Sequence, residues 1–156
     1  KLVKTSLSPE KAFQKIKHYC AYQERNHYEV REKLYGMGLF KKEVEALITR
    51  LIEEDYLNEA RYAIQFAGGH FRLKKWGKIK IRFELRQKGV SDYNIKAALK
   101  EINEADYLQV LSKLAREKWA SLKAESPAGR HAKTTASLLR KGYENNLIQE
   151  VIAAIY

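Results

Sequence analysis

One pattern of apolar positions is written three times along this chain. Leu34, Gly38, Val44, Leu47, Ile48 and Leu51 stand at the same internal spacing as Leu85, Gly89, Ile95, Ala98, Leu99 and Ile102. The pattern returns as Leu138, Gly142, Ile148, Val151, Ile152 and Ile155, so the period is 51 and then 53 residues. In each copy the last four positions fall at i, i+3, i+4 and i+7, one face of a helix. The glycine falls where a preceding helix must end in the left-handed region, which glycine enters without steric cost. Each copy therefore reads helix, helix, glycine turn, helix, and the repeat predicts an all-α chain of three three-helix units. Their expected bounds are residues 1–57, 58–105 and 106–156. Units of this size bury only a marginal core, so neighbouring copies are expected to lean on each other.

Local signals set the helix ends. Ser8-Pro9-Glu10 predicts a start: a capping hydroxyl, proline at the first helical position and an acid in the first turn. Phe13, Ile16, Tyr19 and Cys20 share the inner face that follows. Val30, Leu34 and Met37 mark a second helix ended by Gly36-Met37-Gly38. Asn58 is the expected cap of the next helix, which carries Tyr62, Ile64 and Phe66 and which Gly68-Gly69 should weaken or bend. Copy three begins near Asp106, with Leu108, Leu111, Leu114 and Ala115 on a helix reaching towards Trp119. Residues 121–130, with Ser126-Pro127-Ala128-Gly129, read as the one clear loop. Ser91 is a good cap for the third helix of copy two, and Glu144 at the equivalent place is a poorer one.

Residues 78–88 carry two conflicting periods. Ile79, Ile81, Phe83 and Leu85 alternate with Lys78, Lys80, Arg82, Glu84 and Arg86, which alone reads as a half-buried strand. The equivalent stretches 29–38 and 134–142 do not alternate, and residues 84–88 are good helix formers. The expectation is a helix, with Ile81 and Leu85 inward and Ile79 and Phe83 completing a wide apolar stripe. Lys78, Arg82 and Arg86 then share another face at i, i+4, i+8.

Charge sharpens the picture. The net charge is +11, from 30 Lys and Arg against 19 acids in 156 residues. Residues 59–105 hold 11 basic and 5 acidic side chains, more than half of that excess. Between Arg72 and Lys88 lie eight cations (Arg72, Lys74, Lys75, Lys78, Lys80, Arg82, Arg86 and Lys88) and one acid, Glu84. Such a cluster suits a polyanion or the acidic rim of a protein, and these eight are the candidate binding residues. An ordinary charge run only solvates a helix face, but eight to one is dense enough to favour a binding face. Interleaved Tyr62, Phe66, Phe71, Trp76, Phe83 and Tyr93 can stack on unpaired bases. Core packing is the expected role of Tyr62, Phe66 and Phe83, and Trp76 beside Gly77 is left open.

Chemistry beyond binding finds little support. His18, His27, His70 and His131 form no metal-ligand spacing with each other or with Cys20. No phosphate-cradling GxxxxGK[ST] or GxGxxG string occurs. Glu53-Glu54-Asp55 reads as a solvated turn. No catalytic residue, metal or cofactor is expected. A lone cysteine excludes an internal disulfide and points to a reducing compartment. No apolar run approaches the roughly 20 residues of a membrane span, and Lys1-Leu2-Val3-Lys4 is not followed by a signal-peptide core. The expectation is a soluble cytoplasmic protein.

Three segments resemble the RecX family of recombinase regulators. Tyr56-Leu57-Asn58-Glu59-Ala60-Arg61-Tyr62-Ala63 resembles that family's gYLdD-x-rFA. Trp76-Gly77-Lys78-Ile79-Lys80-Ile81 resembles its G-x-x-rI step, and Glu84-Leu85-Arg86-Gln87-Lys88-Gly89-Val90 its eL-x-x-KGI. Glu24-Arg25 and Lys33-Leu34 resemble its first-copy reRS…eL-x-x-KL. The resemblance covers roughly residues 10–156 and is strongest in copy two. Asn58-Glu59 replaces an acidic pair, Tyr62 a phenylalanine and Asn26 a serine, and copy three is divergent. The resemblance implies tandem three-helix units in an elongated, curved array, without enzymatic activity. It implies binding to the RecA–single-stranded DNA filament, lying in its groove and blocking filament growth, ATP hydrolysis and strand exchange, with direct DNA binding in some members. A monomer is expected. The alternative reading is a helix-turn-helix DNA binder.

Overall fold

The computed structural model describes residues 7–155; Lys1-Leu2-Val3-Lys4 lies outside them. The described residues form nine α-helices and no strand. Repeat 1 comprises α1 (Pro9–Tyr22), α2 (His27–Gly36) and α3 (Lys41–Glu53). Repeat 2 comprises α4 (Glu59–Lys74), α5 (Lys78–Gln87) and α6 (Asp92–Lys100). Repeat 3 comprises α7 (Glu104–Ser121), α8 (Pro127–Lys141) and α9 (Asn145–Ala153). The all-α, three-repeat reading is therefore correct.

The local signals explain most helix ends. Ser8 Oγ accepts from the Lys11 amide, Asn58 Oδ1 from Arg61 and Ser91 Oγ from Asn94, each satisfying one of the orphan donors of a first turn. The three repeat glycines, Gly38, Gly89 and Gly142, all take positive φ, at 85°, 78° and 99°. Gly68-Gly69 lies inside α4, which runs continuously to Lys74. One expectation fails: residues 121–130 are not all loop, because Ser126 caps α8 through the Gly129 amide and Pro127 is its first residue. This repeats the Ser8-Pro9 start, so the same rule that predicts α1 applies to α8.

The segment 78–88 is helical, with Ile81 and Leu85 fully buried. The wide apolar stripe is not formed. Ile79 is 46% and Phe83 59% exposed, because α5 presents a narrow inner face and these two residues project on its outer side.

The cores show how the repeats lean. Repeat 1 closes its own core around Phe13, Ile16, Val30, Leu34, Val44 and Leu51. Repeats 2 and 3 share a continuous one that includes Ile81, Leu85, Ile95, Tyr107, Leu111 and Tyr143. Backbone seals this second junction. The Gly77 amide donates to the Lys141 carbonyl at 2.8 Å and the Ile79 amide to the Gly142 carbonyl at 2.9 Å. A Cβ on Gly77 would come within 2.3 Å of the Gly142 carbonyl, so only glycine permits this approach. The Tyr107 hydroxyl accepts from the Lys78 amide and donates to Glu144 Oε1, at 2.9 and 2.5 Å. Glu144 heads α9 without a side-chain cap, and its carboxylate serves this tyrosine instead.

The junction of repeats 1 and 2 is polar. Asn26 Nδ2 donates to the Tyr62 hydroxyl at 3.2 Å, and Arg61 Nε to Glu24 Oε2 at 2.5 Å. Tyr28 fills the space above Gly89. The chain exposes 9857 Å², where a compact monomer of 18.2 kDa exposes roughly 8,100 Å². The excess fits an elongated tandem array.

Candidate functional site

The eight candidate cations do not form one surface. Lys78 Nζ bonds Glu104 Oε1 at 3.0 Å, lies 4.7 Å from the Tyr107 ring centre and has a largely buried side chain. Arg86 Nε bonds Asp92 Oδ1 at 3.0 Å. These two serve the fold and a local ion pair. Arg72, Lys75 and Arg82 are exposed, with no acidic partner among the described residues. Lys74, Lys80 and Lys88 gather around aromatic rings.

Those rings form a ladder at the edge of the core. Phe66 and His70 are one turn apart on α4 and stack at 3.9 Å between centres. His70 stacks on Trp76 at 4.6 Å. The chain reaches Trp76 because Lys75 takes a left-handed C-cap conformation, φ 60°, which turns it back over the last turn of α4. The Trp76 amide then donates to the His70 carbonyl at 3.3 Å. His70 Nδ1 lies 2.9 Å from the Phe66 carbonyl, which fixes the ring plane. Lys80 Nζ lies 4.7 Å and Lys74 Nζ 5.7 Å from the Trp76 ring centre, and Lys88 Nζ lies 5.6 Å from that of Phe66. The ladder thus carries lysines at both ends.

A cavity of about 400 Å³ opens beside it, between repeats 1 and 2. Phe66, His70, Tyr62, Lys74 and Lys88 line one side, and Glu24 and Glu29 of repeat 1 the other. Glu24 Oε2 holds Arg61, and that hydrogen bond raises the guanidinium pKa. Glu24 Oε1 is buried without a hydrogen-bond partner among the described residues. Burial pushes the Tyr62 phenol up.

Core packing holds for Tyr62 and in part for Phe66, whereas Phe83 is exposed. His70 was given no role by its sequence context beyond the lack of metal spacing. The i, i+4 step from Phe66 was the available signal, since residues so spaced are neighbours on a helix. Among the described residues no group of acids, histidines and cysteine could hold a metal ion, and no helix is long and apolar enough to cross a membrane. The third helix of the most basic repeat is a poor candidate for reading duplex DNA: α6 carries only Lys96 and Lys100, both beyond its first turn, and its Asn94 is tied to Glu59 Oε2. Base readout draws on Arg, Lys, Asn and Gln at the helix N-terminus.

The chain is similar to known proteins over most of its length. The profile of the second three-helix domain of RecX matches residues 58–99, and that of the third matches residues 104–152. A regulatory protein RecX from Prosthecochloris aestuarii is 30% identical over 142 residues, 91% of each chain. One from Halalkalibacterium halodurans is 31% identical over 147 residues, 94% of this chain and 55% of that protein. This chain thus spans about half the length of that longer relative. The crystal structure of RecX from Lactobacillus salivarius superimposes with a TM-score of 0.86 at 24% identity, over 94% of this chain and 95% of that one, which shows a common fold.

Proposed function

The chain belongs to the RecX family of regulatory proteins, and we propose that it binds the RecA–single-stranded DNA filament and inhibits RecA's recombinase and ATPase activity. It thereby modulates DNA recombination and repair. In this reading it acts in the cytoplasm as a monomeric binder without catalysis of its own. The observation that carries the reading is the family relation, which extends over nine-tenths of the chain and of a curated relative.

The face of repeat 2 that carries the ring ladder is where we would seat the filament. It presents Lys74, Lys80 and Lys88 around partly buried rings, and none of the three is neutralised by a carboxylate among the described residues. Unpaired ammonium groups gathered on one face attract phosphates or an acidic protein rim, more strongly at low salt. Lys78 and Arg86 contribute less, because each already has an acid partner.

The test is capture of the protein on RecA filaments assembled on single-stranded DNA, together with the filament's rate of ATP hydrolysis. Co-sedimentation and a falling rate up to a stoichiometric dose are expected. An unchanged rate and no capture at that dose would overturn the proposal.

A further inference from the structure

We infer that the outer side of α5 is a docking surface for an acidic amphipathic helix of another protein, received by Ile79 and Phe83 with Arg82 and Arg86 alongside. It lies apart from the ladder face and goes beyond the proposed function.

The first observation is an apolar pair that the fold does not use. Ile81 and Leu85 supply the inward side of α5 and are fully buried, while Ile79 and Phe83 stay 46% and 59% exposed. Single apolar side chains in water need no explanation, but these two stand one turn apart on the same row and adjoin each other. The second observation is charge. Arg82 and Arg86 form the neighbouring row at the same spacing, and both are exposed. Arg82 has no acidic partner among the described residues. Arg86 Nε bonds Asp92 Oδ1, but the Asp92 side chain is 77% exposed, and so open an ion pair exchanges readily for another. The third is shape. Two parallel i, i+4 rows enclose a groove, the surface into which the side-chain ridge of a second helix packs. The partner's apolar row would rest on Ile79 and Phe83, and its carboxylates would reach the two guanidinium forks. At 3.6 residues per turn, Lys80 and Lys88 leave α5 roughly 150° away around its axis. A helix on this ridge therefore leaves the ring ladder open.

Other occupants match only part of this surface. A second copy of the chain, docked through the same row, would set arginine against arginine on two molecules of net charge +11 each. A lipid surface would suit the arginines, but α5 cannot sink into it. Its inner side is core, and its start is tied to the end of α8 by the Gly77 and Ile79 amides. Two side chains bury far less than the whole apolar face of an interfacial helix. Phosphates of a nucleic acid would pair with the arginines and leave Ile79, which offers no ring to a base, without a partner. An acidic helix with an apolar row answers both rows at once. α5 has ten residues, so the contact is short and belongs with small, transient interfaces.

The test is an amide NMR titration of the full chain with a synthetic helical peptide of leucine, alanine and glutamate, its leucines at i, i+4 and i+7. A scrambled peptide of equal composition lacks the row. Shift changes centred on residues 78–87 are expected, with the scrambled peptide binding about 5-fold more weakly or less, the loss for truncating one interface residue that matters. Ile79→Ser with Phe83→Ser, and separately Arg82→Glu with Arg86→Glu, should each weaken binding by at least that factor. Tyr22→Ser, at a side chain 78% exposed in repeat 1, should not. Circular dichroism and urea midpoints check that all variants are folded. No shifts at residues 78–87, equal binding of both peptides, or binding that survives both double substitutions would overturn the inference. So would shifts centred on Lys74 and Lys88, which would make the peptide a mere polyanion on the ladder face. The Ile79→Ser, Phe83→Ser variant should still be captured by RecA filaments. If the folded variant loses filament capture, binding to phosphatidylglycerol vesicles or self-association that the wild type shows, the ridge belongs to that other occupant and the inference falls. Failure of the wild type itself to be captured would overturn the proposed function and leave the peptide titration to decide this inference alone.

Discussion

Asn26 and Tyr62, two of the positions where this chain departs from its family's pattern, meet each other across the first junction. Asn26 is 4% and Tyr62 7% exposed, and the amide nitrogen of one donates to the hydroxyl of the other at 3.2 Å. The amide oxygen is already used, accepting from the Glu29 amide at 2.8 Å as the cap of α2. Tyr62→Phe therefore leaves a buried N–H pair without its partner, which costs about 1–3 kcal/mol. Asn26→Ser keeps a capping oxygen of similar quality and strands the tyrosine hydroxyl, a cost in the same range. In the double variant neither orphan exists. Its cost should fall short of the sum of the singles by at least about 0.5 kcal/mol, as for residues in direct contact. The four proteins are compared by urea unfolding followed by far-UV circular dichroism, using midpoints at unchanged slope. Additivity within about 0.3 kcal/mol would show that the two side chains do not interact and that the polar reading of this junction is wrong.

Glycine substitutions separate close approach from helix propensity. Gly77→Ala places a methyl group against the Gly142 backbone and should cost about 1–3 kcal/mol in urea unfolding, whereas Gly69→Ala meets nothing within 4 Å inside α4 and should gain about 0.5–1 kcal/mol. Equal effects would refute the backbone seal between repeats 2 and 3. Leu85→Ala, at a fully buried side chain, should cost about 2–5 kcal/mol by the same assay, and a loss below about 0.5 kcal/mol would place Leu85 outside the core. Alkaline stability follows from buried acids. Burial pushes the Cys20 thiol from 9.0 up to about 11, and burial, then the Glu144 hydrogen bond, pushes the Tyr107 phenol up. Both pKa values are raised in the folded chain, so the stability contribution is complete below the unfolded values and is lost as pH rises through the folded ones. Unfolding midpoints at constant ionic strength should hold steady up to pH 9.0 and fall above it. A midpoint that keeps rising would contradict the burial of these groups.

The repeat was legible because its carriers are residues with few substitutes: glycines at positive φ and apolar groups at i, i+3, i+4 and i+7. It also resolved 78–88, where alternation alone argues for a strand. What escaped was partnership between repeats. No local signal distinguishes Lys78, paired with Glu104 from the next repeat, from Lys80, which stays free above Trp76. Nor does the sequence announce that Gly77 touches Gly142, because the contact joins residues of different repeats that are far apart in the chain. Ile79 and Phe83 were misjudged for a related reason. Their apolar character says they can be buried, and only the narrow inner face of α5 says they are not.

The proposed restraint of a RecA filament through the face carrying Lys74, Lys80 and Lys88 is checked by the rate of ATP hydrolysis by RecA on single-stranded DNA, titrated with the wild type and with a Lys74→Glu, Lys80→Glu, Lys88→Glu variant of unchanged circular dichroism. Inhibition by the wild type and a large loss of it in the variant are expected, the difference being more pronounced at low salt. Inhibition of equal strength by both proteins would contradict the assignment of that face, and no inhibition by the wild type would contradict the function itself.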